Sequence, residues 1–280
     1  ICCDHLADKL RAAKLKGKLP KVVIPVHFTG QSCDMEKISK LGFEYGFRII
    51  EDASHAIGGN YNGQRIGSCK HSDICVFSFH PVKIITTGEG GMILTNSNEL
   101  AVKMKHLRSH GITKEPVYMI NKNPCPWYYE QIALGFNYRM TDIQAALGLS
   151  QFNRLDEYVT IRNQLSKRYD LLLADLPVIK PFQSKNCYSS RHLYVIRLKL
   201  GIIAKSRSEV FDYLRKHGIG VNVHYIPVPS QPYYKDMGFS EKDYPNGLSY
   251  YNEAISLPLF PKMTKQEQDK VLSVLKDILM

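Results

Sequence analysis

The sequence predicts an α/β fold, in which a mostly parallel sheet is flanked by helices and followed by a small α+β domain. Two observations predict this fold. Short apolar runs alternate with segments of helical periodicity in the first half of the chain, which is typical of a parallel sheet covered by helices. Pro177 and Pro181 then end a long helical pattern, and a second unit begins beyond them. We therefore expect a large domain over residues 1–180, which includes an interdomain helix, and a small domain over residues 181–280.

The first helix is predicted to begin around Asp4. Asp34 is the expected N-cap of a second helix over residues 35–45, because its carboxylate can accept from the free amides of the first turn. The strands of this half are predicted at residues 22–28, 47–50, 74–79 and 91–95. The last strand follows its predecessor too closely for a crossover helix, so we expect it to be antiparallel. Ligands of such sheets bind beyond the carboxyl ends of the strands, where Asp52 and Ser78 fall.

The remaining elements are predicted from periodicity and from residues that end helices. A helix over residues 98–110 ends at Gly111, and residues 113–135 are irregular and rich in Pro, Asn and Tyr. Helical periodicity then runs from Thr141 to about Leu176. In the small domain we expect strands at residues 192–198 and 220–225 and helices at residues 208–217 and 264–279.

The composition is that of a globular protein without membrane or export signals. Of 280 residues, 44% are hydrophobic, and no run approaches the roughly 20 apolar residues of a membrane span. The start lacks the charged and apolar segments of a signal peptide. Seven scattered cysteines without a Cys-x-x-Cys pair indicate free thiols in a reducing cytoplasm. Cys69, His71 and Cys75 lack a second ligand pair at zinc spacing, so we predict no metal site.

The net charge of +11 bears on the partners of the protein. Its basic runs are expected to form solvated helix faces. They carry no interleaved aromatic residues, and no nucleic-acid-binding motif is present, so we do not expect nucleic-acid binding. An excess of positive charge favours a doubly phosphorylated substrate such as a nucleotide sugar.

Lys83 and Asp52 are the residues that point to a chemistry. Lys83 follows a buried strand and precedes the glycine-rich run Gly88-Glu89-Gly90-Gly91, whereas Asp52 ends an earlier strand. Pyridoxal phosphate (PLP) needs a lysine amine for its aldehyde and a carboxylate that keeps its ring nitrogen protonated. A surface lysine and a turn aspartate are the alternatives for each residue alone. Together they predict a PLP-dependent aminotransferase.

Two neighbouring residues and one glycine pattern have alternative interpretations. His55 is placed to flank the same ring, or is a core histidine. Ser78 offers a hydroxyl to a phosphate oxygen, or is an ordinary strand serine. The pattern Gly88-x-Gly90 lacks the third glycine and the following helix of a dinucleotide-binding loop, so we reject that interpretation.

At these residues the chain resembles the DegT/DnrJ/EryC1/StrS aminotransferases, which are PLP-dependent transferases of fold type I. The resemblance covers essentially the whole chain. The motifs that carry it are Glu51-Asp52-Ala53-x-His55-Ala56, Ser78-Phe79-His80-x-x-Lys83, Gly88-Glu89-Gly90-Gly91 and Gly135-Phe136-Asn137-Tyr138-Arg139. Related sugar dehydratases have histidine in place of the lysine, so Lys83 favours amino transfer.

The resemblance implies a role for each site residue. Lys83 would bond covalently to the cofactor aldehyde and move the proton, and Asp52 would pair with the pyridinium nitrogen. Ala53 would pack on the ring, His55 would lie near its phenolic oxygen, and Ser78 would contact the phosphate or the substrate.

The resemblance also implies a homodimer, because Asn137 would reach the cofactor and substrate of the other subunit. The residues implied to contact the sugar nucleotide are Ser78, His80, Asn137, Asn222, Val223, His224 and Tyr225.

Within the family the closest similarity is to members that act in pseudaminic acid biosynthesis. They transfer an amino group from L-glutamate, which leaves as 2-oxoglutarate, to C4 of a UDP-linked 4-keto-6-deoxy-N-acetyl sugar. Another nucleotide sugar, of the perosamine or 4-amino-arabinose type, stays open as the substrate. A non-catalytic basic binding protein that keeps an enzyme fold is the alternative from a different class.

The chain departs from the family at its N-terminus. It begins at Ile1 with a helix almost at once, whereas family members have a preceding segment. That segment supplies a helix N-terminus that holds the cofactor phosphate, a role suited to backbone amides and the helix dipole. We therefore expect an N-terminally incomplete large domain, which binds cofactor poorly by itself and is inactive as a fragment.

Overall fold

The computed structural model describes residues 1–122 and 125–280, and these form two compact units. The first unit comprises residues 1–28 and 32–155, and the second comprises residues 29–31 and 156–280. This division differs from the domain boundary predicted at residue 180. The reason is that the long helix before Pro177 contributes Leu165, Tyr169 and Leu173 to the core of the second unit.

The first unit contains four helices and eight strands within its described residues. The helices are α1 (Cys3–Leu15), α2 (Met35–Tyr45), α3 (Asn98–Arg108) and α4 (Asp142–Phe152). The strands are β1 (Val22–Val23), β2 (Arg48–Asp52), β3 (Asn60–Tyr61), β4 (Gln64–Arg65), β5 (Ile74–Ser78), β6 (Gly91–Leu94), β7 (Ile112–Thr113) and β8 (Glu130–Gln131).

The second unit contains the remaining elements, apart from the first residue of α5. Its helices are α5 (Leu155–Leu172), α6 (Arg207–Lys216), α7 (Pro232–Asp236), α8 (Pro245–Glu253) and α9 (Lys265–Leu279). Its strands are β9 (Val178–Ile179), β10 (Cys187–Tyr188), β11 (Tyr194–Leu198) and β12 (Ala254–Leu257).

The main sheet of the first unit has the strand order β1-β2-β5-β6. Strands β1, β2 and β5 are parallel, and β6 is antiparallel to β5. This confirms the mostly parallel sheet with one antiparallel strand. Strand β1 is shorter than predicted because its ladder with β2 ends at Val23, and only a single bridge, between Val26 and Asp52, follows.

The second unit is built on the antiparallel sheet β12-β11-β9. Its core is apolar and draws on α5, α6 and α9. The predicted strand at residues 220–225 is wrong. Within the described range 125–280, that segment makes a single bridge, between Asn222 and Ser256, instead of a ladder.

Side-chain caps begin several of the helices. Asp34 accepts a hydrogen bond from the Lys37 amide, which confirms it as the N-cap of α2. Thr141 and Gln144 form a capping box at α4, and similar boxes begin α6 and α9. The helical pattern from Thr141 to Leu176 is interrupted after Phe152, which separates α4 from α5. None of the helices in the described ranges has the length and apolar character needed to cross a membrane.

Candidate active site

Asp52 and Ser78 end two adjacent parallel strands, β2 and β5. Asp52 pairs with Val76, so Ser78, two residues further on, points to the same face of the sheet as Asp52. Apart from the exposed Arg48, this face is half-buried along both strands, whereas the opposite face, which carries Glu51 and Cys75, is buried. The two predicted polar groups therefore share one accessible face at the carboxyl edge of the sheet.

Lys83 lies on the turn that follows β5. Its amide donates to the carbonyl of His80 at 2.9 Å, and Phe79 exchanges backbone hydrogen bonds with Thr87 and Gly90 at 3.0 and 2.8 Å, which closes the loop. Gly90 has φ of 155°, a left-handed conformation in which glycine is favoured.

The Lys83 side chain is half-buried, and this burial lowers its pKa. The negative charge of Asp52 opposes the effect. Among residues 1–122 and 125–280, no hydrogen-bond acceptor or carboxylate pairs with the Lys83 amino group. A lysine with a lowered pKa and no partner has a larger neutral fraction, which is the form that attacks an aldehyde.

The backbone around Asp52 is held on both sides. Its amide donates to the carbonyl of Pro25 at 3.0 Å, and its carbonyl accepts from His27 at 2.9 Å. One carboxylate oxygen accepts from the amide of Ser54 at 3.0 Å. Ala53 is fully buried, and its amide donates to Val76 at 2.9 Å. These bonds fix the strand end that carries the Asp52 side chain.

The other residues predicted near the cofactor occupy the same unit. His55 is buried, with its ring centroid 6.0 Å from that of Phe28. The hydroxyl of Ser78 accepts from the His80 amide at 3.4 Å. The His80 ring is exposed and lies 3.8 Å from the carboxylate of Glu89. The functions predicted for these residues stay predictions.

Asn137 lies on an exposed segment of the first unit. Phe136 donates to the carbonyl of Leu107 at 2.7 Å, and Tyr138 donates to that of Arg108 at 3.0 Å, which anchors the segment on both sides of Asn137. In the described part of the chain, nothing hydrogen-bonds to the Asn137 side chain. Its amide is therefore available to a ligand or to another molecule.

The residues predicted to contact the sugar nucleotide from the C-terminal part lie in the second unit. Asn222 exchanges backbone hydrogen bonds with Ser256 at 3.3 and 2.8 Å. The ring of His224 lies 2.7 Å from the hydroxyl of Ser256. Asn222 also accepts from the amide of Val223 at 2.8 Å, and Tyr225 is exposed. Their contact with a substrate stays a prediction.

Sequence reasoning missed one buried polar cluster next to the site. His27, Glu51 and Ser72 are joined by side-chain hydrogen bonds beneath the sheet. The available signal was Glu51 itself, since a charged residue at the end of an apolar strand needs a buried partner. Its partners are 24 and 21 residues away in sequence, so no local pattern identifies them.

The residues gathered at this edge fit PLP chemically. An amine with a lowered pKa suits the aldehyde, a carboxylate suits the ring nitrogen and a hydroxyl suits the phosphate. The part of the chain that the structure describes brings together no group of three or more His, Cys, Asp or Glu side chains suited to a metal ion.

Comparison with known proteins identifies similar sequences over most of the chain. The model of the DegT/DnrJ/EryC1/StrS aminotransferase family matches residues 5–276. The spore coat polysaccharide biosynthesis protein SpsC of Bacillus subtilis is 40% identical over 261 residues, which are 92% of this chain and 66% of SpsC. The UDP-4-amino-4,6-dideoxy-N-acetyl-beta-L-altrosamine transaminase of Campylobacter jejuni is 36% identical over 276 residues, covering 95% and 70% of the two chains.

Solved structures show the same fold. PseC of Helicobacter pylori, an aminotransferase of pseudaminic acid biosynthesis, superimposes with a TM-score of 0.85 at 29% identity, over 95% of this chain and 68% of PseC. Similar structures include PLP and PMP forms of Spr1654 from Streptococcus pneumoniae, with TM-scores of 0.81 and 0.82 at 30% and 31% identity. The chain thus spans about two thirds of the length of the relatives it matches.

Proposed function

Because the chain belongs to the DegT/DnrJ/EryC1/StrS aminotransferase family, we propose that it acts in PLP-dependent amino transfer to a nucleotide sugar. This proposal rests on the environment of the Lys83 amine. Its amine has a lowered pKa and no partner in residues 1–122 and 125–280, and it lies within the electrostatic influence of Asp52. Members of the family are PLP-dependent, and the fold is that of PLP-dependent transferases of fold type I.

Each site residue has a proposed task. Lys83 bonds to the cofactor. Its amine also carries the proton between the reacting carbon of the substrate and that of the cofactor. Asp52 accepts the ring N–H and keeps it protonated, Ala53 packs on the ring, and His55 lies near the phenolic oxygen. Ser78 donates its hydroxyl to the phosphate or the substrate. PLP itself, when bound, supplies the electron sink for the reaction.

We propose a UDP-linked 4-keto-6-deoxy-N-acetyl sugar as the acceptor, aminated at C4 with L-glutamate as donor, in pseudaminic acid biosynthesis. The names of the Campylobacter jejuni and Helicobacter pylori relatives support this substrate. The net charge of +11 suits a diphosphate. The residues proposed to line the sugar-nucleotide site are Ser78, His80, Asn137, Asn222, Val223, His224 and Tyr225.

We further propose a cytoplasmic homodimer whose subunits share their active sites. Asn137 would reach into the active site of the other subunit. Its side chain makes no hydrogen bond within the described residues, and the segment that carries it is anchored on both sides. Leu134 and Phe136, which precede it in the same segment, are also exposed, and a dimer would cover such apolar groups. The cysteines are free thiols throughout the chain, as expected in a reducing compartment.

A different nucleotide sugar is the second candidate substrate. SpsC, named for spore coat polysaccharide biosynthesis, has a higher identity to this chain than the Campylobacter transaminase, 40% against 36%. Amination of the candidate 4-keto sugars in parallel, followed by product analysis, distinguishes the two. A product only from a sugar without the N-acetyl group would reject the pseudaminic acid assignment.

Borohydride reduction of the PLP-treated chain, followed by peptide mass spectrometry, tests the cofactor proposal. We expect pyridoxyl modification at Lys83 and its loss in Lys83→Ala. Lys103→Ala, which removes an exposed lysine of α3, is the matched control and should leave the labelling unchanged. Labelling spread over surface lysines, with no dependence on Lys83, would favour the basic binding protein over the enzyme.

A further inference from the structure

A buried polar cluster lies on the face of β2 opposite to Asp52. Glu51 is only 5% exposed, and its carboxylate accepts from the ring Nε2 of His27 at 2.7 Å. The other carboxylate oxygen accepts from the hydroxyl of Ser72. His27 itself is completely buried. A buried carboxylate is costly unless donors satisfy it, and here both oxygens are satisfied.

The tautomer of His27 follows from its second contact. The amide of Cys33 donates to Nδ1 of His27 at 3.2 Å, so that nitrogen carries no proton. A ring proton is then on Nε2, where it points to Glu51. The cluster is thus a carboxylate held by a donor of fixed orientation.

His27 also holds Asp52 through its backbone. Its amide donates to the carbonyl of Asp52 at 2.9 Å, while its ring holds the side chain of Glu51, one residue earlier. His27 therefore holds two consecutive residues of β2, Asp52 through its backbone amide and Glu51 through its ring. Ser72 fixes the same carboxylate from the segment that leads into β5.

Stability is a weak explanation for this arrangement, because replacing a buried polar pair with apolar residues of similar volume is often neutral or stabilising. The geometry specified here is that of the Glu51–Asp52 peptide, and this peptide determines where the Asp52 carboxylate projects. Asp52 in turn acts on Lys83 through its charge.

We propose that His27 and Glu51 are positioning residues, which hold the carboxylate of Asp52 in the orientation that the cofactor ring nitrogen and Lys83 require. They do not touch the substrate or the reacting atoms and act only through Asp52. The ring-nitrogen part of this inference rests on the proposed function, whereas the coupling to Lys83 does not.

A measurement on the chain without cofactor tests the coupling. The pKa of the Lys83 amine is followed by NMR of the 15N-lysine-labelled chain, in the parent and in His27→Gln and Glu51→Gln. Each variant is also made together with Asp52→Asn. We expect His27→Gln to change the pKa of Lys83 by roughly half a unit when Asp52 is present, because opposite charges act strongly only at short range. We expect no such change in the Asp52→Asn background.

The two variants control for each other. Glu51→Gln removes a carboxylate charge, and any direct effect of that charge on Lys83 appears in both backgrounds and is subtracted. His27→Gln leaves that charge in place. Ile49→Val, on the same buried face of β2 but outside the hydrogen bonds, should change nothing. Equal effects with and without the Asp52 carboxylate would overturn the proposal.

A second readout follows the cofactor ring directly. With 15N-labelled PLP bound, the ring-nitrogen shift reports its protonated fraction, which should fall in His27→Gln and Glu51→Gln but not in Ile49→Val. An unchanged fraction in both variants would contradict the positioning role. If the chain binds no PLP, the Lys83 comparison, which needs no cofactor, decides the positioning role by itself. Should either variant unfold, Ser72→Ala removes one donor only and gives the same comparison.

Discussion

Lys83 shows how burial and charge oppose each other at a single residue. Partial burial disfavours its ammonium form, whereas the carboxylate of Asp52 favours it, and burial is the larger effect. Placing an ammonium in such a position costs folding free energy. A lysine at this position is expected to serve chemistry and not stability, because an apolar side chain would occupy it at a lower cost in folding free energy.

Lys83→Met is therefore expected to stabilise the fold near neutral pH, by about 1 °C or more in Tm. The pKa of Lys83 is lower in the folded chain, so between its folded and unfolded values the unfolded chain binds more protons. The free energy of unfolding of the parent then rises with pH across this window. The advantage of Lys83→Met should shrink as the pH rises towards the unfolded value of about 10.4.

Thermal unfolding at a series of pH values checks this expectation. Lys103→Met, at an exposed position, serves as the control and should give the same difference from the parent throughout. A Lys83→Met advantage that is independent of pH would contradict the argument.

Local chemistry determines how the elements begin and end. Gly46 ends α2 with φ of 77°, and Gly111 follows α3 with φ of 70°. The two glycines differ in their surroundings. A Cβ at Gly111 would lie 1.8 Å from the carbonyl oxygen of Ala133, whereas no described atom lies within 4 Å of one at Gly46. The segment that carries Asn137 thus packs directly on the glycine after α3.

Gly111→Ala should cost about 2 kcal/mol or more of unfolding free energy, since the carbonyl of Ala133 must move. Gly46→Ala meets only the left-handed strain, about 1 kcal/mol. Urea unfolding gives the loss of unfolding free energy in each variant. Because φ is nearly equal at the two glycines, the difference between the losses measures the contact with Ala133. Equal losses would show that the contact with Ala133 is unimportant.

The elements also show how much of the fold could be predicted from the sequence. The start of α2 at Asp34 was predictable because a cap is a contact between near neighbours. The break between α4 and α5 was not, since neither Asn153 nor Arg154 is a strong helix breaker. The segment 220–225 is apolar and alternating, yet it lacks a continuous partner strand, and pairing is a tertiary property. Asp52 and Lys83 were found by residue type, whereas the bond between His27 and Glu51 required the fold.

At the scale of the whole molecule, the main feature is an apolar helix surface that residues 1–122 and 125–280 leave exposed. Helix α4, which lies wholly within the described chain, has no buried residue although its sequence is largely apolar. Ile143 and Leu149 are among its exposed side chains. A largely apolar helix without buried residues is typical of an interface with another molecule. A second copy of the chain is the partner expected from the family resemblance.

Leu149→Lys should shift the protein from dimer to monomer in light scattering, because a charge would be buried at the interface. Leu171→Lys is the matched control. Leu149 is 68% exposed on α4 and Leu171 is 77% exposed on α5, so both substitutions place lysine on an exposed helical leucine. Loss of the dimer in both variants, or in neither, would argue against an interface at α4.

The two adjacent acids of β2 limit how this site can change. Glu51 is directed into the closed interior and Asp52 towards the open face, since neighbouring strand residues alternate. Gaining or losing a single residue inside the strand would exchange them, sending the aspartate inward and the glutamate outward. The chemistry at this edge can therefore be altered by replacing residues, but a strand of different length would invert it.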